Sequence, residues 1–240
     1  MKILSIGNSF SEDAQAYLHK LASECGIDID SVNLFIGGCS LETHCNNIKE
    51  NKVAYMVEEN GTRTEQYTSL SSALQSQYDI ITLQQASHFS GIFKSYTPYI
   101  TELANYVKEK QPNAKIFVHQ TWAYEIDSDH SGFVNYNNDQ NEMYNKIVEA
   151  YNKAAELIEA PIIPCGTVIQ TLRDTLSEFD YKNGGLSLCR DGFHISLDYG
   201  RFALAATWIK TLTGKNVEIK SFNDMDSEII SKILNVVNSL

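Results

Sequence analysis

The sequence lacks the features that would place a protein in or across a membrane. Its 240 residues contain no uninterrupted apolar segment approaching the roughly 20 residues that a helix needs to cross a bilayer. The N-terminus also lacks the long apolar region and small-residue cleavage site of an export signal. We therefore expect a cytoplasmic protein as the sequence stands, and a secreted or periplasmic one if a leader has been removed.

Basic residues are scarce. The 19 lysines and arginines stand against 30 aspartates and glutamates, which gives a formal net charge of −11 at pH 7. Because polyanions bind proteins mainly through lysine and arginine, this balance argues against nucleic acid or an anionic membrane as the main partner. A small-molecule substrate with little charge of its own is compatible with it.

Cysteines are few, and their spacing fits neither a disulfide framework nor a metal site. The odd number and scattered positions indicate reduced, partly buried thiols. No CxxC or CxxH pair predicts zinc, and nothing else in the sequence calls for a metal or a cofactor. The five cysteines are Cys25, Cys39, Cys45, Cys165 and Cys189.

The remaining pattern is an alternation of strands and helices along the whole chain. Short apolar segments alternate with segments that have helical apolar spacing, which is typical of βαβ units. We predict a single α/β domain over residues 1–240, a three-layer α/β/α sandwich around a parallel sheet of about five strands. The predicted strands are 2–7, 29–36, 79–84, 115–119 and 161–164, and the predicted helices are 13–25, 97–110, 141–159, 166–178, 198–213 and about 224–237.

Two polar stretches interrupt the alternation. Residues 46–78 are polar and poorly periodic, and Asn60-Gly61 marks a turn. Tyr55-Met56 and the segment from Tyr67 to Leu74 are predicted to hold a short hairpin and a short helix. Residues 125–139 are rich in Asp, Asn and Ser. A polar loop of this length is a candidate lid or substrate rim.

Chemically distinctive residues follow four of the predicted strands. They are expected to meet, because ligands of parallel sheets bind beyond the carboxyl ends of the strands. This convergence is stronger evidence for a site than any single motif. The four stretches are Gly7-Asn8-Ser9, Gly37-Gly38, Gln84 to His88, and His119 to Trp122.

Ser9 is the candidate nucleophile, at the point where the first strand gives way to a helix. Nucleophilic serine catalysis needs a base, a group that orients the base, and donors for the oxyanion. Among six histidines, His194 has an aspartate, Asp191, three residues before it. An aspartate at that offset on a loop can bind the Nδ1 side of the ring and leave Nε2 facing Ser9. The alternative is that Ser9 or Ser11 only caps a helix.

These motifs resemble those of the SGNH (GDSL-type) hydrolases, in particular a bacterial branch that begins with Gly-Asn-Ser-Phe. Gly7-Asn8-Ser9 is similar to the Gly-Asp-Ser block of that family, with asparagine in place of aspartate. Gly37-Gly38 corresponds to the second block, in which a glycine N–H, here that of Gly38, binds the oxyanion. Residues 191–194 (Asp-Gly-Phe-His) correspond to the last block. The resemblance implies a flavodoxin-like strand order and a Ser9, His194 and Asp191 triad.

The third block of the resemblance departs from the family pattern. Ala86-Ser87-His88 falls where the family has Gly-x-Asn, whose asparagine completes the oxyanion hole. We therefore expect the N–H groups of Ser9 and Gly38 to be joined by either His88 or Gln85. A further set of residues at the strand ends is expected to line the substrate pocket, namely Gln84, His119 and Trp122.

The resemblance implies a serine esterase that removes an O-acyl group, most simply acetyl, from a small molecule or a carbohydrate. Two other functions fit the same residues. An acyltransferase would use the same serine with an alcohol acceptor instead of water. A carbohydrate-binding protein with a degenerate site would explain the missing asparagine, although the retained Ser9, Asp191 and His194 argue against it.

Overall fold

The computed structural model describes all 240 residues and contains seven strands and nine α-helices. The strands are β1 (Lys2–Gly7), β2 (Asp30–Phe35), β3 (Tyr55–Glu59), β4 (Thr62–Thr68), β5 (Ile80–Leu83), β6 (Lys115–His119) and β7 (Ile162–Ile163). The helices are α1 (Ser9–Gln15), α2 (Leu18–Glu24), α3 (Leu41–Lys49), α4 (Leu70–Ala73), α5 (Tyr99–Lys110), α6 (Gln140–Ile158), α7 (Cys165–Thr175), α8 (Tyr199–Thr213) and α9 (Ser227–Asn238).

One sheet contains all seven strands, in the order β4-β3-β2-β1-β5-β6-β7. The five predicted strands are β2, β1, β5, β6 and β7, and these strands pair with one another only in parallel. Their order is that of a flavodoxin-like sheet, as predicted. Strand β1 lies between two parallel neighbours, and its Ile3, Leu4 and Ile6 are fully buried. The apolar start of the chain is therefore the centre of the sheet.

A hairpin extends the sheet beyond the predicted five strands. Strand β3 pairs with β2 and with β4, in both cases in antiparallel fashion, so β4 is the outermost strand. Asn60 and Gly61 form its turn with φ of 51° and 78°, which are the two positive values of a type I′ turn. The hairpin and its turn were predicted, but its addition to the central sheet was not.

The helices form a layer on each side of the sheet. Helices α1, α2, α7, α8 and α9 pack against one another in one layer, and α3, α5 and α6 form the other. Residues 202–209 of α8 are all buried, so this helix is a core element on every side. The three-layer architecture is as predicted. No helix combines the length and the apolar character required to cross a bilayer.

Two helical predictions are corrected by the structure. The helix predicted at 13–25 is two helices, α1 and α2, and the first of them begins at Ser9 itself. The chain breaks at Ala16, where Gly61 packs so closely that a Cβ on the glycine would lie 2.7 Å from the Ala16 carbonyl oxygen. Helix α3 was not predicted, although Ser40 caps it through a hydrogen bond from the Thr43 N–H.

The polar loop at 125–139 covers part of the carboxyl edge of the sheet. It contains a 3₁₀-helix (Ser131–Tyr136) that is tied to the turn at His88. The His88 carbonyl accepts hydrogen bonds from Asn135 Nδ2 at 3.2 Å and from the Tyr136 hydroxyl at 3.1 Å. A Cβ on Gly132 would lie 2.3 Å from the His88 Cβ, so only glycine permits this contact. The loop is therefore a packed rim.

Candidate active site

Three residues from opposite ends of the chain meet beyond the end of β1. The Ser9 Oγ lies 2.9 Å from His194 Nε2, and His194 Nδ1 lies 2.7 Å from Asp191 Oδ2. With the proton on Nδ1, the imidazole donates to the carboxylate and accepts from the serine hydroxyl. These are the contacts that a nucleophile, a base and an orienting carboxylate require.

The loop that contains His194 is shaped by the Asp191 side chain. One carboxylate oxygen, Oδ1, accepts the backbone N–H groups of Phe193 at 3.3 Å and His194 at 2.8 Å. The other oxygen binds the imidazole. Burial alone would raise the pKa of Asp191, but the hydrogen bonds from the ring and the backbone outweigh burial and lower it. Asp191 is thus a fixed carboxylate that can stabilise an imidazolium.

A buried ion cluster connects the serine helix to the histidine loop. Asp13 of α1 is fully buried and binds Arg190 Nη1 at 2.9 Å and Arg201 Nη2 at 2.7 Å. Arg190 immediately precedes Asp191, and Arg201 belongs to α8. The cluster therefore fixes the position of α1 relative to the loop that supplies the base.

Ser9 itself is not used as a helix cap. The Asn8 side chain caps α1, and Ser11 completes the capping box by bonding to the Asn8 backbone. The only hydrogen bond of the Ser9 hydroxyl is to His194. The alternative in which Ser9 only caps the helix therefore does not describe this turn.

The backbone N–H groups of Ser9 and Gly38 have no partner within the protein, and neither has that of Gly37. Gly38 has a φ of +63° and lies in a turn closed by a 3.2 Å hydrogen bond from the Cys39 N–H to the Ile36 carbonyl. A left-handed residue at this point favours glycine. Ser9, Gly37 and Gly38 all line one cavity, so these N–H groups are candidate donors to an oxyanion.

The third donor of an oxyanion hole is available from His88 and not from Gln85. His88 lines the cavity, and its ring nitrogens have no hydrogen-bond partner in the protein. Burial and the neighbouring His130 lower its pKa, so the ring is neutral and carries one N–H. Gln85 is buried, with Oε1 3.0 Å from the Leu41 N–H and Nε2 2.9 Å from the Ser95 carbonyl. The expectation that Gln85 completes the hole is thereby corrected.

The three residues expected to line the substrate pocket lie beneath it instead. Gln84 and His119 are buried and bound to each other, with Gln84 Oε1 2.7 Å from His119 Nδ1. Trp122 is fully buried, stacks on Phe10 at 4.2 Å, and donates from Nε1 to the Phe193 carbonyl at 2.9 Å. These residues support the floor of the site and cannot contact a substrate in the cavity.

A cavity of about 630 Å³ opens over Ser9. One of its walls is a row of rings, with centroids 6.0 Å apart for His88 and His130, 4.7 Å for His130 and Phe193, and 4.1 Å for Phe193 and His194. The Gly132 N–H donates to His130 Nδ1 at 3.0 Å, which places the ring hydrogen on Nε2. Nε2 has no partner in the protein, so this wall offers an additional N–H donor.

His130 was missed as a candidate because its only sequence signal is membership of the polar loop. The length and composition of that loop predicted a rim, but they gave no reason to select one of its residues. The position of His130 results from the packing of Gly132 against His88, which is a contact between distant segments.

Glu12 and Arg63 also line the cavity, and Arg63 bridges Glu12 to the buried side chain of Glu58. Arg63 Nη2 lies 2.6 Å from Glu12 Oε1, and Arg63 Nε lies 3.3 Å from the buried Glu58 Oε1. Glu58 also accepts a hydrogen bond from Asn33 Nδ2 at 2.7 Å. Burial and the nearby Glu12 carboxylate, partly offset by Asn33 and Arg63, raise the pKa of Glu58 to about 7.

The raised pKa of Glu58 predicts a loss of stability as the pH increases. The folded chain keeps a proton on Glu58 that the unfolded chain, with a pKa near 4.5, has already released. The stabilisation is therefore complete below about pH 4.5 and disappears as the pH rises through about 7. Between pH 5 and pH 8, we expect the unfolding free energy of the wild type to fall by on the order of 1 to 3 kcal/mol more than that of Glu58→Gln.

Urea unfolding of both proteins at the two pH values measures this difference. The matched control is Glu59→Gln, because Glu59 is exposed on the same strand. Parallel decreases in the wild type and in Glu58→Gln would contradict the assignment of the titrating group to Glu58.

Comparison with known proteins relates this chain to one family and to one fold. The family model described as "Domain of unknown function (DUF4886)" matches residues 2–238. The crystal structure of a DUF4886 family protein from Bacteroides uniformis is 39% identical, with a TM-score of 0.92 over 100% of this chain and 93% of that chain. None of the curated proteins matches the chain.

More distant structures have the same fold and carry names that refer to function. A protein of Slackia heliotrinireducens assigned to the SGNH hydrolases is 20% identical, with a TM-score of 0.58 over 88% of this chain and 98% of that chain. The acetyl-xylooligosaccharide esterase Axe2 of Geobacillus stearothermophilus is 14% identical, with a TM-score of 0.57 over 91% of this chain and 96% of that chain. One Axe2 structure is of a catalytic mutant in which a serine is replaced by alanine. The resemblance to SGNH hydrolases is confirmed for the fold.

Proposed function

Since the chain belongs to the DUF4886 family and has the fold of the SGNH hydrolases, we propose that it is a serine esterase that hydrolyses an O-acyl ester. The observation that carries this proposal is the 2.9 Å contact between Ser9 Oγ and His194 Nε2, with Asp191 behind the imidazole. Two unpaired backbone N–H groups beside the hydroxyl support it. Axe2, which shares the fold, is an esterase with a catalytic serine.

The proposed reaction proceeds in two halves through an acyl-enzyme. His194 Nε2 takes the hydroxyl proton as Ser9 Oγ attacks the ester carbonyl, and Asp191 stabilises the resulting imidazolium. The N–H groups of Ser9 and Gly38, together with His88, bind the oxyanion of the tetrahedral intermediate. His194 then protonates the departing alcohol. Water then attacks the acyl carbon and gives a proton to the same nitrogen. The bond from the acyl carbon to Ser9 Oγ breaks, His194 returns the proton to Oγ, and the acid leaves.

The exposure of the triad favours water as the acceptor over a second alcohol. The side chains of His194 and Asp191 are 21% and 42% exposed, so the base can be reached from solvent. An acyltransferase needs a site that excludes water from the acyl-enzyme until the acceptor alcohol binds. We therefore place hydrolysis ahead of acyl transfer.

The ring wall supports a carbohydrate as the alcohol part of the ester. His130 offers a neutral N–H donor, and Phe193 between His130 and His194 offers an apolar face. A sugar presents both hydroxyl oxygens and apolar C–H faces, and so it complements such a wall. An acetylated sugar is therefore the substrate class that we propose.

The test is hydrolysis of p-nitrophenyl acetate, butyrate and octanoate beside acetylated xylo-oligosaccharides, with products measured in the presence and absence of an added alcohol. We expect ester hydrolysis, a preference for acetyl, a higher kcat/KM for the sugar ester, and labelling of Ser9 by a fluorophosphonate. Transfer of the acyl group to the added alcohol would favour the acyltransferase. Sugar binding without turnover or labelling would favour the degenerate binding protein.

The third oxyanion donor can be tested separately. We expect His88→Ala to lower kcat by roughly 10²–10³-fold with little change in KM, because the donor acts on charge that exists only in the transition state. Steady-state kinetics with p-nitrophenyl acetate measures the effect. His19→Ala, which removes a half-exposed histidine on α2, is the control and should match the wild type. A change confined to KM would assign His88 to substrate binding instead.

A further inference from the structure

Asn8 occupies the position of the aspartate in the Gly-Asp-Ser block of the SGNH hydrolases, and both polar atoms of its side chain are hydrogen-bonded. The side chain is buried, with 1% exposure. Its Oδ1 accepts the Phe10 N–H at 3.0 Å and Gln84 Nε2 at 2.7 Å. Its Nδ2 donates to the Cys39 carbonyl at 3.1 Å. The amide orientation is fixed by these partners, because a backbone N–H can only donate and a carbonyl can only accept.

The two ends of this amide touch the two backbone segments that supply the oxyanion donors. The Phe10 N–H follows Ser9, and the Cys39 carbonyl follows Gly38. The turn at Gly38 is otherwise closed only by its own hydrogen bond from Cys39 N–H to the Ile36 carbonyl. The Asn8 amide is thus a direct bridge between the serine turn and the glycine turn.

We infer that Asn8 is a positioning residue that sets the separation of the Ser9 and Gly38 N–H groups, and that this chain requires an amide there in place of the family's aspartate. The inference rests on the proposed function, since it concerns the same oxyanion hole. A carboxylate at this position would keep the cap on α1, because aspartate and asparagine are equally good N-caps. It would have no hydrogen to give to Cys39.

A carboxylate would also bring two hydrogen-bond acceptors into contact, and these would repel each other. In the Asn8→Asp variant, a carboxylate oxygen would face the Cys39 carbonyl at about the present 3.1 Å, in a place that is 1% exposed and has no room for solvent to intervene. The glycine turn is the more easily displaced partner, since α1 is held by Asp13 and its two arginines. The Gly38 N–H would move away from the oxyanion, while the wall of rings formed by His88, His130, Phe193 and His194 would stay in place.

The test compares Asn8→Asp and Asn8→Ser with the wild type. Both variants retain a side chain that can cap α1, and both lose the donor to Cys39, but only the first adds a charge. We expect kcat to fall by roughly 10²-fold in both, with KM within about threefold of the wild type and a similar fall in the rate of Ser9 phosphonylation by a fluorophosphonate. Thermal unfolding and far-UV spectra establish that the compared proteins are folded.

The control exchange is Asp226→Asn, because Asp226 caps α9 and its side chain touches neither turn. It should leave all rates unchanged. Activity of Asn8→Asp equal to that of an active wild type would overturn the inference while leaving the proposed function intact, and so would a loss in Asn8→Asp that Asn8→Ser does not share. A wild type that neither hydrolyses esters nor reacts with the fluorophosphonate would instead overturn the proposed function, and the inference with it.

Discussion

Ser9→Ala is expected to abolish esterase activity, with kcat lowered by roughly 10⁴–10⁶-fold. The loss is large because the hydroxyl is the group that bonds to the acyl carbon, and no neighbouring oxygen can replace it. Ser11, two residues on, is buried and bound to the Asn8 backbone and to Asn33 Oδ1 at 2.7 Å. The measurement is p-nitrophenyl acetate hydrolysis after correction for the spontaneous rate.

The same substitution should leave the fold unchanged. The Ser9 hydroxyl makes one hydrogen bond, to His194, and the cap of α1 comes from Asn8. We expect an unfolding midpoint close to that of the wild type and no labelling by a fluorophosphonate. The control is Ser23→Ala, because Ser23 lies on the exposed side of α2, and its activity and unfolding midpoint should match those of the wild type. Undiminished activity in Ser9→Ala would exclude Ser9 as the nucleophile.

Asp191→Asn is expected to lower kcat by about 10⁴-fold without displacing His194. The decrease in kcat follows from the two roles of the Asp191 carboxylate. Its Oδ1 accepts the backbone N–H groups of Phe193 and His194, so the carbonyl oxygen of an asparagine must take that place. The NH₂ group is then directed at His194 Nδ1. An imidazole that accepts at Nδ1 carries its hydrogen on Nε2, where it can no longer take the proton of Ser9.

Kinetics across pH distinguish this tautomer effect from a local collapse of the loop. In Asp191→Asn we expect kcat to be low throughout the neutral range, while the unfolding free energy stays near that of the wild type. Asp198→Asn is the matched control, since Asp198 caps α8 and has no contact with His194. Its activity should be unchanged. Activity of Asp191→Asn within a few fold of the wild type would show that Asp191 does not orient the base.

The meeting of Ser9, Asp191 and His194, the proposed triad, was predictable because each residue has a local signal. Ser9 follows the apolar run of β1, and the spacing of Asp191 and His194 lets one carboxylate bind both the ring and the backbone of the same turn. The carboxyl ends of parallel strands meet at one edge, so Gly38 could be placed near them. These are consequences of strand order and short-range geometry, which the chain encodes within a few residues.

The errors concern the direction in which side chains point. Strand exits predict the edge of the sheet on which Gln84, His119 and Trp122 lie, but they do not tell whether a side chain faces the cavity or the helices beneath. That direction depends on partners far along the chain, as in the bond from Trp122 to the Phe193 carbonyl. Gln85 and His88 were indistinguishable in sequence for the same reason.

The ion cluster around Asp13, like the contact between Ser9 and His194, joins residues that are far apart in the sequence. The site can therefore form only late in the synthesis of the chain. Ser9 is translated well before its partner, since its bond to His194 spans 185 positions, and the bond from Arg201 to Asp13 spans 188. A nascent or C-terminally truncated chain that ends before His194 would contain Ser9 but not its proposed base. A chain that ends before Arg201 would lack half of the clamp on α1. The proposed nucleophile therefore contacts its proposed base only after most of the polypeptide has been made and α8 has docked.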